Sequence, residues 1–93
     1  ILADMLFRQA LAYQTRLQFP EAIGYYEQAL EIYKEIGDRG GEAKCYVNLG
    51  NAHQGLGIYR QAIGYYEQAL GICKEIGDRG GEAKCYVNLG NAH

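Results

Sequence analysis

Shifted by 40 residues, the chain falls on itself. Residues 21–53 then lie over residues 61–93 and match everywhere except Glu21/Gln61, Glu31/Gly71 and Tyr33/Cys73. Residues 1–20 match 41–60 poorly, sharing Ala3/Ala43, Ala12/Ala52 and Gln14/Gln54. A fixed period of this length restricts the fold more than any other feature. One period is a single supersecondary unit, too small to bury its own apolar face, so neighbouring units must stack into an array. The expected units are about 1–38, 39–78 and a truncated 79–93.

Each unit reads as two helices. In residues 38–56, apolar and small side chains fall at Ala43, Tyr46, Leu49, Gly50, Ala52, His53 and Leu56. Steps of three and four place these on one helical face. Gly37 can close the preceding helix and Asp38 can cap this one. Gly55 and Gly57 mark the next turn. A second stripe, Ala62, Ile63, Tyr66, Ala69, Leu70 and Cys73, follows the same spacing. Pro20 sits in a first turn, where a helix tolerates it. Helices are expected at about 2–16, 20–36, 39–55, 60–76 and 79–93. The fold class is all-α, a right-handed α-solenoid of antiparallel helix pairs with five helices in about two and a half hairpins. Gly50 and Ala62 should allow two helices to cross closely, with Tyr46, Leu49 and Tyr66 packed around the contact.

Composition narrows the function. Acidic residues (11) outnumber basic ones (9), for a net charge of −2. No basic excess exists to grip phosphates, so nucleic acid is not an expected partner. No run approaches the ~20 apolar residues needed to cross a bilayer, so no membrane partner is expected either. The start, Ile1-Leu2-Ala3-Asp4, has neither an initiator Met nor a basic stretch leading into an apolar one. It reads as a fragment of a longer chain, without a signal peptide. The three cysteines, Cys45, Cys73 and Cys85, cannot all pair and show no C-x-x-C spacing. They are expected to be inert, partly buried thiols, which suits a reducing, cytoplasmic setting. His53 and His93 are expected to be packed rings with one nitrogen satisfied. No metal ligand set and no cofactor motif is present.

The residues carry a recognisable pattern. Tyr46-x2-Leu49-Gly50-x2-His53, followed by Ala62-x3-Tyr66 and Ala69, resembles the tetratricopeptide signature W-x2-L-G-x2-Y, A-x3-F. In the first unit Leu6, Ala10, Tyr13, Phe19, Ala22 and Tyr26 hold the pattern, while Gln9 replaces the expected Leu and Leu17 the expected Gly. Lys34 and Lys74 stand where the family's proline would end the unit. The period is 40 instead of about 34, adding about 9 Å of helix per unit. Asn48-Leu49-Gly50-Asn51-Ala52-His53, Glu67-Gln68-Ala69-Leu70 and Lys74-Glu75-Ile76-Gly77-Asp78-Arg79 are similar to the 40-residue repeats of the LGN/Pins cell-polarity adaptors.

The resemblance implies a protein–protein interaction module. Such arrays hold a peptide segment or partner helix in a concave groove lined by the first helix of each pair, in a scaffold or adaptor role. That helix carries a second face here, off the packing stripe: Lys44, Val47, Asn48, Asn51 and Gln54, repeated as Lys84, Val87, Asn88 and Asn91. Asn offers both donor and acceptor, so stacked Asn residues can hold an extended peptide backbone. The lysines favour an acidic ligand, and Val47 and Val87 add apolar contact. In the first unit Asp4, Phe7, Arg8 and Leu11 occupy these places, and Arg8 could fork onto a carboxylate. Asn51, Asn88 and Arg8 supply some residue types of the two-carboxylate clamp of chaperone-binding relatives, but in the wrong order of units. No catalytic motif is present: no G-x-S-x-G, P-loop, H-E-x-x-H or G-x-G-x-x-G. Glu27, Glu31, Glu35, Glu67 and Glu75 read as a solvated helix face. The alternative function is a structural spacer or self-association module, forming a homo-oligomer through exposed repeat ends.

Overall fold

The computed structural model describes residues 2–93. The chain forms five α-helices: α1 Leu2–Thr15, α2 Phe19–Ile36, α3 Arg39–Gly55, α4 Tyr59–Ile76 and α5 Arg79–Ala92. Each packs against its neighbours in sequence, building an α-solenoid. There is no strand among the described residues. The helices begin and end within a residue of the positions that the periodicity predicts.

The turns follow local chemistry. At the end of α2, Gly37 takes φ 73°, in the left-handed region that a Cβ disfavours. Its N–H donates to Lys34 C=O, and Asp38 N–H donates to Tyr33 C=O at 2.9 Å, the Schellman closure. Asp38 then caps α3, its carboxylate accepting the Gly41 N–H at 3.0 Å. Gly77 and Asp78 repeat the device before α5. Leu17 occupies the place of Gly57 in the remaining turns and adopts the same left-handed backbone, φ 61°, with its side chain in solvent.

Small residues set the helix spacing. A Cβ on Gly41 would stand 2.4 Å from the Tyr33 ring, and one on Gly50 2.6 Å from the Tyr66 ring. Either approach would require overpacking, so both places belong to glycine. Gly55 is also a contact residue inside α3, against the Phe19 ring, and not a turn residue. The core holds Tyr26, Tyr66, Leu49, Cys45 and Cys85 among its fully buried side chains. Leu56 departs from expectation: it is exposed, because it follows the last residue of α3 and lies beyond the packed face.

Two carboxylates pair with Arg39, and one of them, Glu75, was expected on a solvated face. Glu42 is buried and pairs with Arg39 at 2.9 Å. Arg39 also forks onto Glu75, at 2.9 and 3.0 Å, tying the start of α3 to the end of α4. Glu75 is therefore not simply solvated, and the Arg39 guanidinium holds its carboxyl below the usual range. His53 is packed as expected, its Nδ1 2.8 Å from Leu49 C=O. His93 is exposed instead, with no helix packed over it among the described residues.

Identical sequence meets different surroundings in α3 and α5. Tyr46 lies against Tyr65 of α4 and is 6% exposed, whereas its counterpart Tyr86 is 53% exposed. Each is topped by an equivalent lysine, Lys34 over Tyr46 and Lys74 over Tyr86.

Candidate functional site

The first helix of each pair contributes to a cleft between α3 and α5, with α1 along one side. The cleft has two hollows. The first, about 300 Å³, lies between the amino-terminal halves of α3 and α5. Phe7 and Leu11 of α1 and Ala43 and Val47 of α3 give it apolar walls, and Lys44, Asn48 and Lys84 bring polar groups. The second lies toward the carboxy-terminal ends and is lined by Asn51, Gln54, Tyr59, Asn88 and Asn91. The expected site residues therefore divide between an apolar, cationic end and an amide-rich end. Arg8 is exposed on α1 and lines neither hollow, and Val87 is exposed on α5 and also lines neither.

The asparagines are not equivalent. Asn48 donates its Nδ2–H back to Lys44 C=O at 2.8 Å, one turn earlier on its own helix. Its carbonyl oxygen remains to accept from a ligand. Beneath the amide-rich end, the Tyr66 hydroxyl reaches the carbonyl oxygens of Asn51 (2.6 Å) and Gln54 (2.9 Å). Its single proton serves one of these at a time. Asn51 is thus engaged through oxygen and keeps its NH2 group for another partner. Among the described residues, the side chains of Asn88 and Asn91 form no hydrogen bond. In the first pair Tyr26 donates to Gln14, the counterpart of Gln54, and Leu11 stands in place of Asn51. The amide-rich surface therefore stops at α3.

Charge is uneven along the cleft. The Lys44 ammonium sits 5.0 Å over the Phe7 ring, a cation–π contact that leaves the charge solvated. Neither Lys44 nor Lys84 has an ion pair among the described residues. Asp4, across from Lys44, is occupied by the Tyr33 hydroxyl, which donates to it and holds its carboxyl below the usual range; the Lys44 charge adds a smaller effect. Burial, and then that same contact, pushes the Tyr33 phenol well up.

Several lining residues fall outside the expected set. Phe7 and Leu11 were legible only as the first unit's counterparts of Val47 and Asn51. Cys73 lines the first hollow although it belongs to the packing stripe of α4. Its signal was there: position 73 is one of three where the near-duplicated units differ. All three cysteines are free and buried, and burial pushes Cys45 up to about 12 and Cys85 up to about 11. A thiol so shifted is protonated and a poor nucleophile at neutral pH. No group of three metal-ligating side chains occurs among the described residues, and none of their helices is long and apolar enough to cross a membrane.

The family model described as tetratricopeptide repeat matches residues 2–75. G-protein-signaling modulator 1 of Homo sapiens is 44% identical over 41 residues, 44% of this chain and 6% of that protein. The Mus musculus protein of the same name is 45% identical over 37 residues, 40% of this chain and 6% of its own length. The chain thus spans only about 6% of the length of the curated relatives it matches. Among solved structures, the crystal structure of the TPR domain of Arabidopsis FLU superposes with a TM-score of 0.80 at 26% identity, covering 97% of this chain and 82% of that one.

Proposed function

The chain belongs to the tetratricopeptide repeat family, and on that basis we propose that it is a protein–protein interaction module holding a peptide segment in the cleft between α3 and α5. Its role is that of a scaffold or adaptor, without catalysis, in the cytoplasm, where free thiols persist. The observation that carries this reading is the pairing state of the amides. Asn48 keeps an acceptor, Asn51 keeps donors, and Asn88 and Asn91 keep both. An extended backbone presents alternate N–H and C=O groups, and these amides complement both without reading side chains. A protein surface rich in carboxylates, with only two lysines at one end of the cleft, suits a peptide and not a phosphate backbone.

The test is a random-peptide display selection on the parent and on a variant with Asn48, Asn51, Asn88 and Asn91 all changed to Ala, its helicity checked because Asn51 also accepts from Tyr66. Peptides enriched on the parent should bind the variant at least about tenfold more weakly. Equal binding to both would reject the amide-lined cleft.

One observation favours a second reading. Tyr86 is 53% exposed where its counterpart Tyr46 is 6% exposed, so the face of α5 that α4 covers on α3 lies open. Self-association through that face is the alternative role, and concentration-dependent sedimentation would reveal it.

A further inference from the structure

The apolar hollow lies where the two junctions differ: on its lining Lys44, Val47, Asn48 and Cys73 stand where the first junction has Asp4, Phe7, Arg8 and Tyr33. Tyr33 and Cys73 occupy equivalent places at the ends of α2 and α4. At the first junction the Tyr33 ring covers Gly41, and its hydroxyl continues to Asp4. At the second, the Cys73 sulfur covers Gly81 in the same manner, 2.7 Å from where a Cβ would be, and the side chain ends there. Lys44 stands in place of Asp4. Shortening a phenol to a thiol leaves room at the second junction, and Cys73 lines the resulting hollow of about 300 Å³. That volume is at the lower end for small-molecule sites and ample for one large side chain. Lys44 and Lys84 also line it, neither in an ion pair among the described residues. Asp78 is the one carboxylate on the lining, and it is engaged in accepting the Gly81 N–H at 2.9 Å as the cap of α5.

We propose that this hollow takes one large apolar side chain of the bound peptide, leucine- or phenylalanine-sized, with a carboxylate on an adjacent residue set between Lys44 and Lys84. The assignment rests on reading the cleft as a peptide site and gives that site its specificity. The amides hold backbone at one end, and the hollow selects an apolar–acidic pair at the other. Apolar burial supplies affinity, and the two ammonium groups reject basic neighbours by like-charge repulsion.

The repeat itself supplies the decisive variant. Cys73→Tyr turns the second junction toward the first, where the same backbone already seats a tyrosine over glycine. The probe is a synthetic peptide chosen from the display selection on the parent. It should contain the apolar–acidic pair and bind Cys73→Tyr about ten- to a hundredfold more weakly, the loss expected from evicting one large apolar side chain. Selection on the double variant Lys44→Glu, Lys84→Glu should return peptides without the acidic residue. Both lysines are exposed, so this arm stands even if Cys73→Tyr folds poorly. Selected peptides that lack the pair, or unchanged affinity for a folded Cys73→Tyr together with an unchanged motif on the lysine variant, would overturn the hollow's role while leaving the amide-lined cleft intact. A parent that enriches no peptide would overturn the cleft reading and this one with it.

Discussion

Gly50→Ala should cost roughly 2 kcal/mol of stability, while Gly90→Ala should add a few tenths to about 1 kcal/mol. The two glycines occupy the same place in identical sequence, since residues 39–52 and 79–92 match throughout. Their surroundings decide the sign. A methyl on Gly50 would stand 2.6 Å from the Tyr66 ring. That ring is fully buried, and its hydroxyl donates to Asn51 or Gln54. It cannot step aside without losing that bond, so the helices must separate. A methyl on Gly90 meets nothing within 4 Å. There the substitution only removes backbone freedom from the unfolded chain and improves helix propensity. Urea unfolding of the two variants beside the parent measures both. A Gly50→Ala protein as stable as the parent would show that Tyr66 is not clamped.

Alkali should unfold the protein well before its surface charge alone would. Burial raises Tyr26 and Tyr66 from 10.0 to about 12. It raises Cys45 from 9.0 to about 12 and Cys85 from 9.0 to about 11. Each is an acid whose neutral form is favoured in the folded state. The unfolded chain therefore gives up these protons first, at ordinary thiol and phenol values. Below about pH 8 both states are neutral at these groups and the full stability is present. Between about pH 8 and 12 the unfolded state binds fewer protons, so stability falls as pH rises. Melting followed at stepped pH should show a plateau and then a steep loss. Tyrosinate absorbance from Tyr26 and Tyr66 should rise only with unfolding. Unchanged stability beyond about pH 11 would contradict the burial of these groups.

The period, the two stripes per unit and the Gly37–Asp38 closure were legible, because each arises from contacts within about one turn of helix or from spacing alone. So was the packed ring of His53, whose nitrogen finds a carbonyl four residues back on the same helix. What needed the structure were partners distant in sequence. Arg39 reaches Glu75, and Tyr66 reaches back to Asn51 and Gln54. Periodicity assigns a residue to a face without saying what stands opposite. For the same reason the Asn residues looked alike, although Asn48 is turned onto its own helix and Asn51 is held from α4. Arg8 matched the Asn48 position by register, yet it stands in solvent outside the hollows. Tyr46 and Tyr86, identical in local sequence, differ because only α3 lies against α4 along that face. Periodicity places Cys73 on the core stripe, and only the shorter reach of its side chain, compared with Tyr33, reveals the hollow.

The central claim is that the cleft between α3 and α5 is where a peptide binds. Backbone amide shifts of isotopically labelled protein, titrated with a peptide from the display selection, test it directly. The account predicts that the largest changes cluster at Lys44, Asn48, Asn51, Lys84, Asn88 and Asn91. Changes confined to the open face of α5 around Tyr86, or to the outward carboxylates Glu27 of α2 and Glu67 of α4, would contradict it.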